Sequence, residues 1–591
     1  MIHLTPLSAT KRTSLLSATV KRLISVLTAV LPAVAASGSN AVSDAPAAAP
    51  GAAESAEISL TRPDMNAASA EYFLLTDSAG LYTEQIFFND KLLIGDGSTR
   101  LPKVYYGASL QAYASTSGKF APYYVASNNN GLITQADGLQ AYAYIDRPLR
   151  RSTRFSWGFG AAAAAGWSNA VDYERYNHES GWGEMSRRPA AVMLQNLYGE
   201  VKYRGVFARF GMKENDRSIF DDGLNSGDIV YSSNARPVPE LRVGFIDFQD
   251  IPFTNGWVQI QGEVAYGKFC DNVWLRNHYN RYNRFVTTGP WLQYSRAYFR
   301  TNPRQPFSAT VGMQHATQFG GRMQEWRYGE MVSEEDMSLK LKDFFNAFLP
   351  WKGGGSSSTK GDSDYYSGNH LGSWDVQLRY RFRDGSSLTA YCQLPWEDGS
   401  GIGKLNGWDG VWGLRYKASG RDNLLSEAVL EYIDFTNQSG PMHWAPGDKE
   451  GTGVSGEATG ADDYYNNFMY NGWANYGMAM GSPFVKSPIY NRDGYMRFTD
   501  NRVRGFHFGA TGQLSRSLNW RLLGSYRQSL GTPFQPAPCK RHDTSLYAGV
   551  TWRVAGFRNI FLSGMAAYDT GNLYGDNFGA LVALRYTGAI F

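Results

Sequence analysis

The feature that most constrains this chain is an alternation of polarity with period two, repeated in segments of about ten residues from about residue 104 onward. The clearest copy is 374–383. Trp374, Val376, Leu378, Tyr380 and Phe382 share one face, and Asp375, Gln377, Arg379, Arg381 and Arg383 share the other. Successive side chains of a strand point to opposite faces of a sheet. One face can therefore meet lipid or an apolar core, and the other cannot. The pattern recurs where Val258, Ile260, Val264 and Tyr266 oppose Gln259, Gln261 and Glu263. It recurs where Leu518, Trp520, Leu522 and Tyr526 oppose Asn519, Arg521, Ser525 and Arg527, and where Leu546, Ala548, Val550 and Trp552 oppose Ser545, Tyr547, Thr551 and Arg553. Ala428, Leu430 and Tyr432 oppose Glu427 and Glu431 in the same way.

Such segments number about eighteen, and single-chain bacterial barrels take even numbers of strands. A barrel of that size leaves an aqueous lumen unless a plug fills it. Inward Arg, Glu and Gln are then solvated or paired rather than stranded in a dry core, which favours a wide barrel over a soluble sandwich. The predicted fold class is all-β: a transmembrane antiparallel β-barrel of about 18 strands over 104–591, with long extracellular loops, in the bacterial outer membrane. No run of 18 apolar residues follows the N-terminal segment, which argues against a bundle of membrane helices.

Residues 1–36 read as a signal peptide. Lys11, Arg12, Lys21 and Arg22 precede an apolar stretch from Leu23 to Val34, followed by small residues. Residues 37–62, rich in Ala, Ser, Gly and Pro, read as a flexible low-complexity segment. Residues 63–103 stay open between a small N-terminal plug, a short helix and a first strand. Of 57 basic and 53 acidic residues, the leader holds four basic and no acidic ones, so the remainder is balanced and a nucleic-acid partner loses its support. Cys270, Cys392 and Cys539 show no metal spacing and read as free thiols. The chain ends on Phe591 after an alternating strand, a pattern resembling the signal read by the barrel assembly machinery. Phe591 is out of phase with Val582, Leu584 and Tyr586, so a bulge at Gly588 is expected.

Three stretches are too long for tight turns: 167–190, with Trp167, Tyr173, Tyr176 and Trp182; 318–372, with an amphipathic helix expected at 336–349 before the Gly353–Ser356 run; and 436–500, dense in Tyr, Trp and Asn. Catalytic signatures are missing, since His178, His278, His315, His370, His443, His507 and His542 are scattered and fit no hydrolase or metalloprotease motif. The acidic pairs Asp221-Asp222 and Asp462-Asp463 lie in loop-like sequence. The expectation is no enzyme, no catalytic or metal-binding residue and no cofactor. Loop aromatics offer flat faces to sugar rings, and Arg pairs with carboxylates such as those of uronic acids. Tyr464, Tyr465 and Trp473 are candidate polysaccharide-binding residues on that ground. Interface girdles are the competing use of the aromatics, so a plain diffusion porin remains the alternative.

Pro237 and Pro239 cannot sit in a central strand, so 224–239 is an extended, irregular connection. Asn234 and Arg236 within it either contact ligand or lock a loop. The stretch Ser233-Asn234-Ala235-Arg236-Pro237-Val238-Pro239 is the most specific in the chain. Together with Phe210-Gly211-Met212-Lys213, Leu224-Asn225-Ser226-Gly227, Ile251-Pro252, Gly262 to Phe269, and Phe120-Ala121-Pro122-Tyr123-Tyr124 leading to Asn130-Gly131-Leu132-Ile133, it resembles the capsule assembly Wzi family across roughly residues 105–320. The resemblance implies a monomeric outer-membrane barrel of about eighteen strands. It implies a lectin-like role, holding capsular or other surface polysaccharide at the cell surface with outer-membrane lipid around the wall. It also implies a lumen closed by extracellular loops at one end and an N-terminal helical element at the other, although residues 37–100 show no convincing helical pattern for the latter.

Overall fold

The computed structural model describes residues 104–590, apart from 152, 215–218, 221–222, 338, 349–367, 398, 421–422, 442, 445–457, 460 and 558. The leader, the low-complexity segment, residues 63–103, the Asp221-Asp222 pair, the Gly353–Ser356 run and Phe591 lie outside the described residues.

Eighteen antiparallel strands close into a barrel, each paired with its neighbours in sequence. They are β1 Val104–Ser115, β2 Gly138–Arg147, β3 Phe155–Ser168, β4 Val192–Tyr203, β5 Val206–Met212 and β6 Glu240–Phe245, the last resuming as Gln249–Asp250. There follow β7 Val258–Lys268, β8 Trp291–Thr301, β9 Phe307–Phe319, β10 Asn369–Arg381, β11 Ser387–Trp396 and β12 Gly410–Lys417. The circuit ends with β13 Glu427–Asp434, β14 Val503–Ser515, β15 Leu518–Gly531, β16 Pro536–Arg553, β17 Ile560–Gly571 and β18 Asn577–Ile590. The seam is β1 against β18, in register from Val104 opposite Ile590 to Ser115 opposite Gly579.

The alternation read in the sequence becomes the two faces of this wall. Leu378, Tyr380, Leu430, Leu522, Tyr526, Leu546 and Val550 are exposed on the outside, while Asp375, Glu427, Glu431, Ser525, Arg527 and Ser545 are buried inside. An apolar outer band on a closed barrel is the arrangement of an outer-membrane protein, because closure leaves no backbone group unpaired in lipid. Both barrel termini lie at one end, and the long connections share the other, which is the outward-facing end in such barrels.

The inner faces pair their charges. Arg209 Nε lies 2.8 Å from Glu200 Oε2, and Glu263 Oε1 accepts from Arg242 Nη1 at 3.0 Å and lies 3.2 Å from Arg296 Nε. Burying one such partner without the other would strand a charge and destabilise the wall by about 3–5 kcal/mol.

Two local expectations are corrected. The expected bulge at Gly588 is not formed, since β18 runs without a register shift. The glycine serves the opposite strand: a Cβ at this position would meet the Tyr106 ring at 2.5 Å, so only glycine admits that ring. The helix expected at 336–349 is shorter. Asp336 and Met337 complete a strand, Glu330–Met337, and the helix spans Leu341–Phe348.

Candidate functional site

The long connections do two different things. Those at 116–137, 223–239 and 461–502, with Ile219 and Phe220, fold inward and pack a hydrophobic core against the wall. Tyr123, Leu132, Ile229, Val230, Trp473, Phe484 and Phe498 share one buried cluster with Tyr294, Tyr391, Val429, Leu523 and Leu581 of the strands.

Polar bonds tie the 223–239 segment to strands around the circumference. The Ser226 N–H donates to Glu431 of β13 at 2.7 Å. Gln314 of β9 and Gln393 of β11 both donate to Asp228, at 2.8 and 3.0 Å. His507 of β14 holds the Leu224 carbonyl at 2.7 Å and the Tyr124 hydroxyl at 2.9 Å through its two ring nitrogens. Arg521 of β15 donates to the Gly223 carbonyl. A segment bound at so many points of the ring is a plug rather than a mobile lid, because buried polar groups are costly to strip of partners.

The residues singled out from the sequence all fall in or beside this plug. Asn234 is fully buried, and its amide donates to the Ala479 carbonyl at 2.9 Å and accepts from the Asn128 N–H at 3.2 Å. Arg236 donates to the Leu194 carbonyl at 3.2 Å and lies over the Tyr476 ring at 4.0 Å. Burial lowers its pKa. Tyr464, Tyr465 and Trp473 are likewise interior. The Tyr464 hydroxyl donates to Asp409 at 3.1 Å, Tyr465 donates to the Ile229 carbonyl at 2.7 Å, and the Trp473 indole donates to the Val230 carbonyl at 2.7 Å. The expectation that these three aromatics face solution is corrected: their ring faces and polar atoms are committed to the plug. Of the two roles left open for Asn234 and Arg236, their contacts are those of a loop lock. The Asp462-Asp463 pair also binds loop residues, with Asp463 accepting from Asn501 at 2.7 Å and Asp462 from Ser439 at 2.7 Å.

The remaining long connections rise outward as small sheets. Residues 167–190 contain a hairpin, Val171–Asn177 with Gly181–Arg187. Asn283–Thr288, Gly321–Arg327 and Glu330–Met337 form a three-stranded sheet beside it. Main-chain bonds join them: the Tyr176 N–H donates to the Asn280 carbonyl at 2.8 Å, and the Gly329 N–H to the Arg281 carbonyl at 2.8 Å.

This junction gathers four aromatic rings. Trp182 lies 5.4 Å from Tyr176 and 4.9 Å from Tyr282, and Tyr282 lies 5.4 Å from Tyr328. Trp182 is 48% exposed and Tyr328 55%. Tyr328 and Gly329 have φ of 50° and 85°, the signature of a two-residue type I′ hairpin turn. Asn is the cheap residue at the first position of that turn. A tyrosine there accepts a left-handed backbone and places its ring at the tip.

Three cations lie near one another, and Arg175 and Arg187 occupy the hairpin face opposite to Tyr176 and Trp182. Arg175 donates to the Arg276 carbonyl at 2.7 Å and Arg187 to the Asn277 carbonyl at 2.8 Å, while Arg281 lies 5.1 Å from the Trp326 ring. Partial burial, then the like charges of Arg281 and Arg187, hold the Arg175 pKa down to about 10. Among the described residues no carboxylate lies within ion-pair distance of these three. Exposed rings can stack on the C–H face of a sugar, and guanidinium groups without a carboxylate partner can pair with an acidic one.

Sequence reading noted Tyr176 and Trp182 but missed Tyr282, Tyr328 and the arginines. A usable signal was present, since Tyr328-Gly329 lies between two alternating runs at hairpin spacing. The three cysteines are free, and no group of three His, Cys, Asp or Glu among the described residues is placed to hold a metal ion.

Comparison with known proteins closes the picture. No protein-family model and no curated protein matches the sequence. Solved outer-membrane structures similar to it include Wzi, an outer membrane protein involved in group 1 capsule assembly in Escherichia coli and described as a carbohydrate-binding β-barrel. The two are 13% identical over 82% of this chain and 85% of that one, with a TM-score of 0.45. OccAB2 of Acinetobacter baumannii is similar at 8% identity, over 82% of this chain and 98% of that one, with a TM-score of 0.41. OccK3 (OpdO) of Pseudomonas aeruginosa is similar at 11% identity, over 84% and 97%, with a TM-score of 0.38. Likeness this distant assigns no activity, so the protein is described by its own geometry: a closed, 18-stranded outer-membrane β-barrel with an inward loop plug and an outward aromatic and cationic rim.

Proposed function

We propose that this barrel is a non-enzymatic surface lectin that holds an acidic capsular or other surface polysaccharide against the outer membrane. The observation that carries this reading is the aromatic junction of Trp182, Tyr176, Tyr282 and Tyr328 at the outward end, with the cations Arg175, Arg187 and Arg281 on the same loops. The rings meet edge to face or tilted, and the exposed Trp182 and Tyr328 keep flat faces open for sugars. The family resemblance of the Ser233–Pro239 stretch points the same way.

The test is titration of the detergent-purified protein with purified acidic polysaccharide. Replacing Trp182 and Tyr328 together by alanine removes two stacking faces, each worth about 0.5–1.5 kcal/mol, and should weaken binding roughly tenfold. Arg281→Ala should weaken it further and flatten its salt dependence. Unchanged binding in both variants would sink the assignment.

A second reading is favoured by the inward arginines. Arg209, Arg242 and Arg296 sit on neighbouring inner faces with Glu200 and Glu263 as partners, the polar lining that a diffusion porin would need. It predicts steady single-channel conductance in planar bilayers, which a packed plug opposes.

A further inference from the structure

The helix Leu341–Phe348 lies on the outer wall of the barrel, not in the plug. Phe344 packs on Tyr266 of β7, Trp291 of β8 and Phe319 of β9, with ring separations of 5.6, 5.2 and 5.2 Å. On each strand these residues have the parity of the lipid side: Val264, Phe299 and Val311 share it and are exposed, whereas Ala265, Tyr294 and Gln314 on the opposite parity are buried inside.

Two bonds fasten the helix. The Tyr266 hydroxyl donates to the Phe344 carbonyl at 2.7 Å, and the Thr317 hydroxyl donates to the Ala347 carbonyl at 2.9 Å. Under it, His315 and His370 lie 2.9 Å apart on outward positions of β9 and β10, stacked beside Trp396. Both histidines are buried. Polar side chains on the lipid side of a barrel wall are costly unless covered and paired.

One stripe of the helix thus meets the wall. A second stripe, at i, i+4 and i+7, does not: Leu341 is 76% exposed, Phe345 70% and Phe348 39%. Three large apolar side chains in a row on an exposed flank of a wall-bound helix face the medium around the barrel. Trp291 and Tyr266, on which the helix rests, are outward positions at the loop ends of β8 and β7. Lys340 and Lys342 are exposed at the start of the helix.

We propose that Leu341–Phe348 is an interfacial helix. It extends the lipid-facing band at the outer rim, inserting Leu341, Phe345 and Phe348 among the acyl chains of the outer leaflet while Lys340 and Lys342 reach its anionic headgroups. The occupant is the lipid leaflet itself, since the stripe is continuous with the band that lipid already covers. It would fix the height of the barrel in the membrane and keep the 321–337 sheet at a set distance above it.

Site-directed spin labelling tests this on the full chain, with Cys270, Cys392 and Cys539 replaced by serine. A nitroxide at Phe345→Cys or Leu341→Cys is compared with one at Leu378→Cys in the lipid band and one at Glu335→Cys in the exposed sheet. The protein is placed in bilayers of phosphatidylethanolamine with or without phosphatidylglycerol. Both helix labels should show an oxygen-to-nickel accessibility ratio several-fold above that of the Glu335→Cys label and approaching that of Leu378→Cys. The ratio should rise further when the anionic lipid is present. Helix labels as accessible to the water-soluble nickel complex as the Glu335→Cys label would overturn the proposal, and the two independent sites guard against one variant misfolding.

Discussion

The plug and the rim are built from the same kinds of residue and do opposite things. Both are long connections at the outward end of the barrel, rich in Tyr, Trp, Asn and Arg. In the plug Trp473 is fully buried and its indole N–H is used by Val230. In the rim Trp182 is half exposed and packs against the Tyr176 and Tyr282 rings of its own cluster. The difference lies in what surrounds each loop. A segment that folds inward meets strands on every side and can satisfy its polar atoms there. A segment that pairs with itself as a hairpin satisfies its backbone locally and is free to project outward.

The largest test of that contrast is a pair of substitutions. Trp473→Ala should destabilise the protein by about 3–5 kcal/mol, the cost of emptying a buried tryptophan site. It should also raise ion leakage through purified protein in planar bilayers. Trp182→Ala should change thermal stability by less than ~0.5 kcal/mol while weakening polysaccharide binding. Equal losses of stability would erase the distinction between the two regions.

A pH series probes the plug next. Burial raises the Asp409 carboxyl from the usual carboxylate range to about 6, against bonds from the Gln438 and Asn437 N–H groups that lower it. The folded loop therefore keeps a proton that the unfolded chain has released. That stabilisation is complete below the unfolded value of 3.8 and is lost as pH rises through about 6. Protection factors across 435–440, the exchange rates corrected for their intrinsic pH dependence, should be roughly tenfold higher at pH 4.5 than at pH 7.5, from about 1–2 kcal/mol. Asp409→Asn should flatten the difference, and the rim hairpins should not follow it.

The smallest effect has the most telling sign. Tyr328→Asn places the favoured residue in the type I′ turn and should stabilise the rim sheet by about 0.5–1 kcal/mol. If Tyr328 is kept for its ring, the same change weakens glycan binding. A variant that loses both stability and binding would show the tyrosine to be structural.

Much of the wall was legible in the chain. The parity at 374–383, 257–266 and 518–527 matches the exposed and buried sides of β10, β7 and β15. Gly588 was misread, because its role is set by a ring on the neighbouring strand, Tyr106, five hundred residues away in order but adjacent across the seam. Tyr464, Tyr465 and Trp473 were read as surface residues from loop composition, and composition does not say which way a loop folds. His315 and His370 looked scattered because nothing local reveals that β9 and β10 set them side by side under a helix.

What the sequence by itself determined was the barrel wall. The pleat forces a period of two, and a one-residue slip would turn every charge to the lipid, so the pattern is local and strongly specified. Only the tertiary structure decided which loops fill the lumen, which aromatic rings and arginines gather at the rim, and that one short helix lies against the outside of the wall. Those outcomes rest on pairs of residues far apart in the chain, brought together by closure of the ring, and no period along the sequence encodes them.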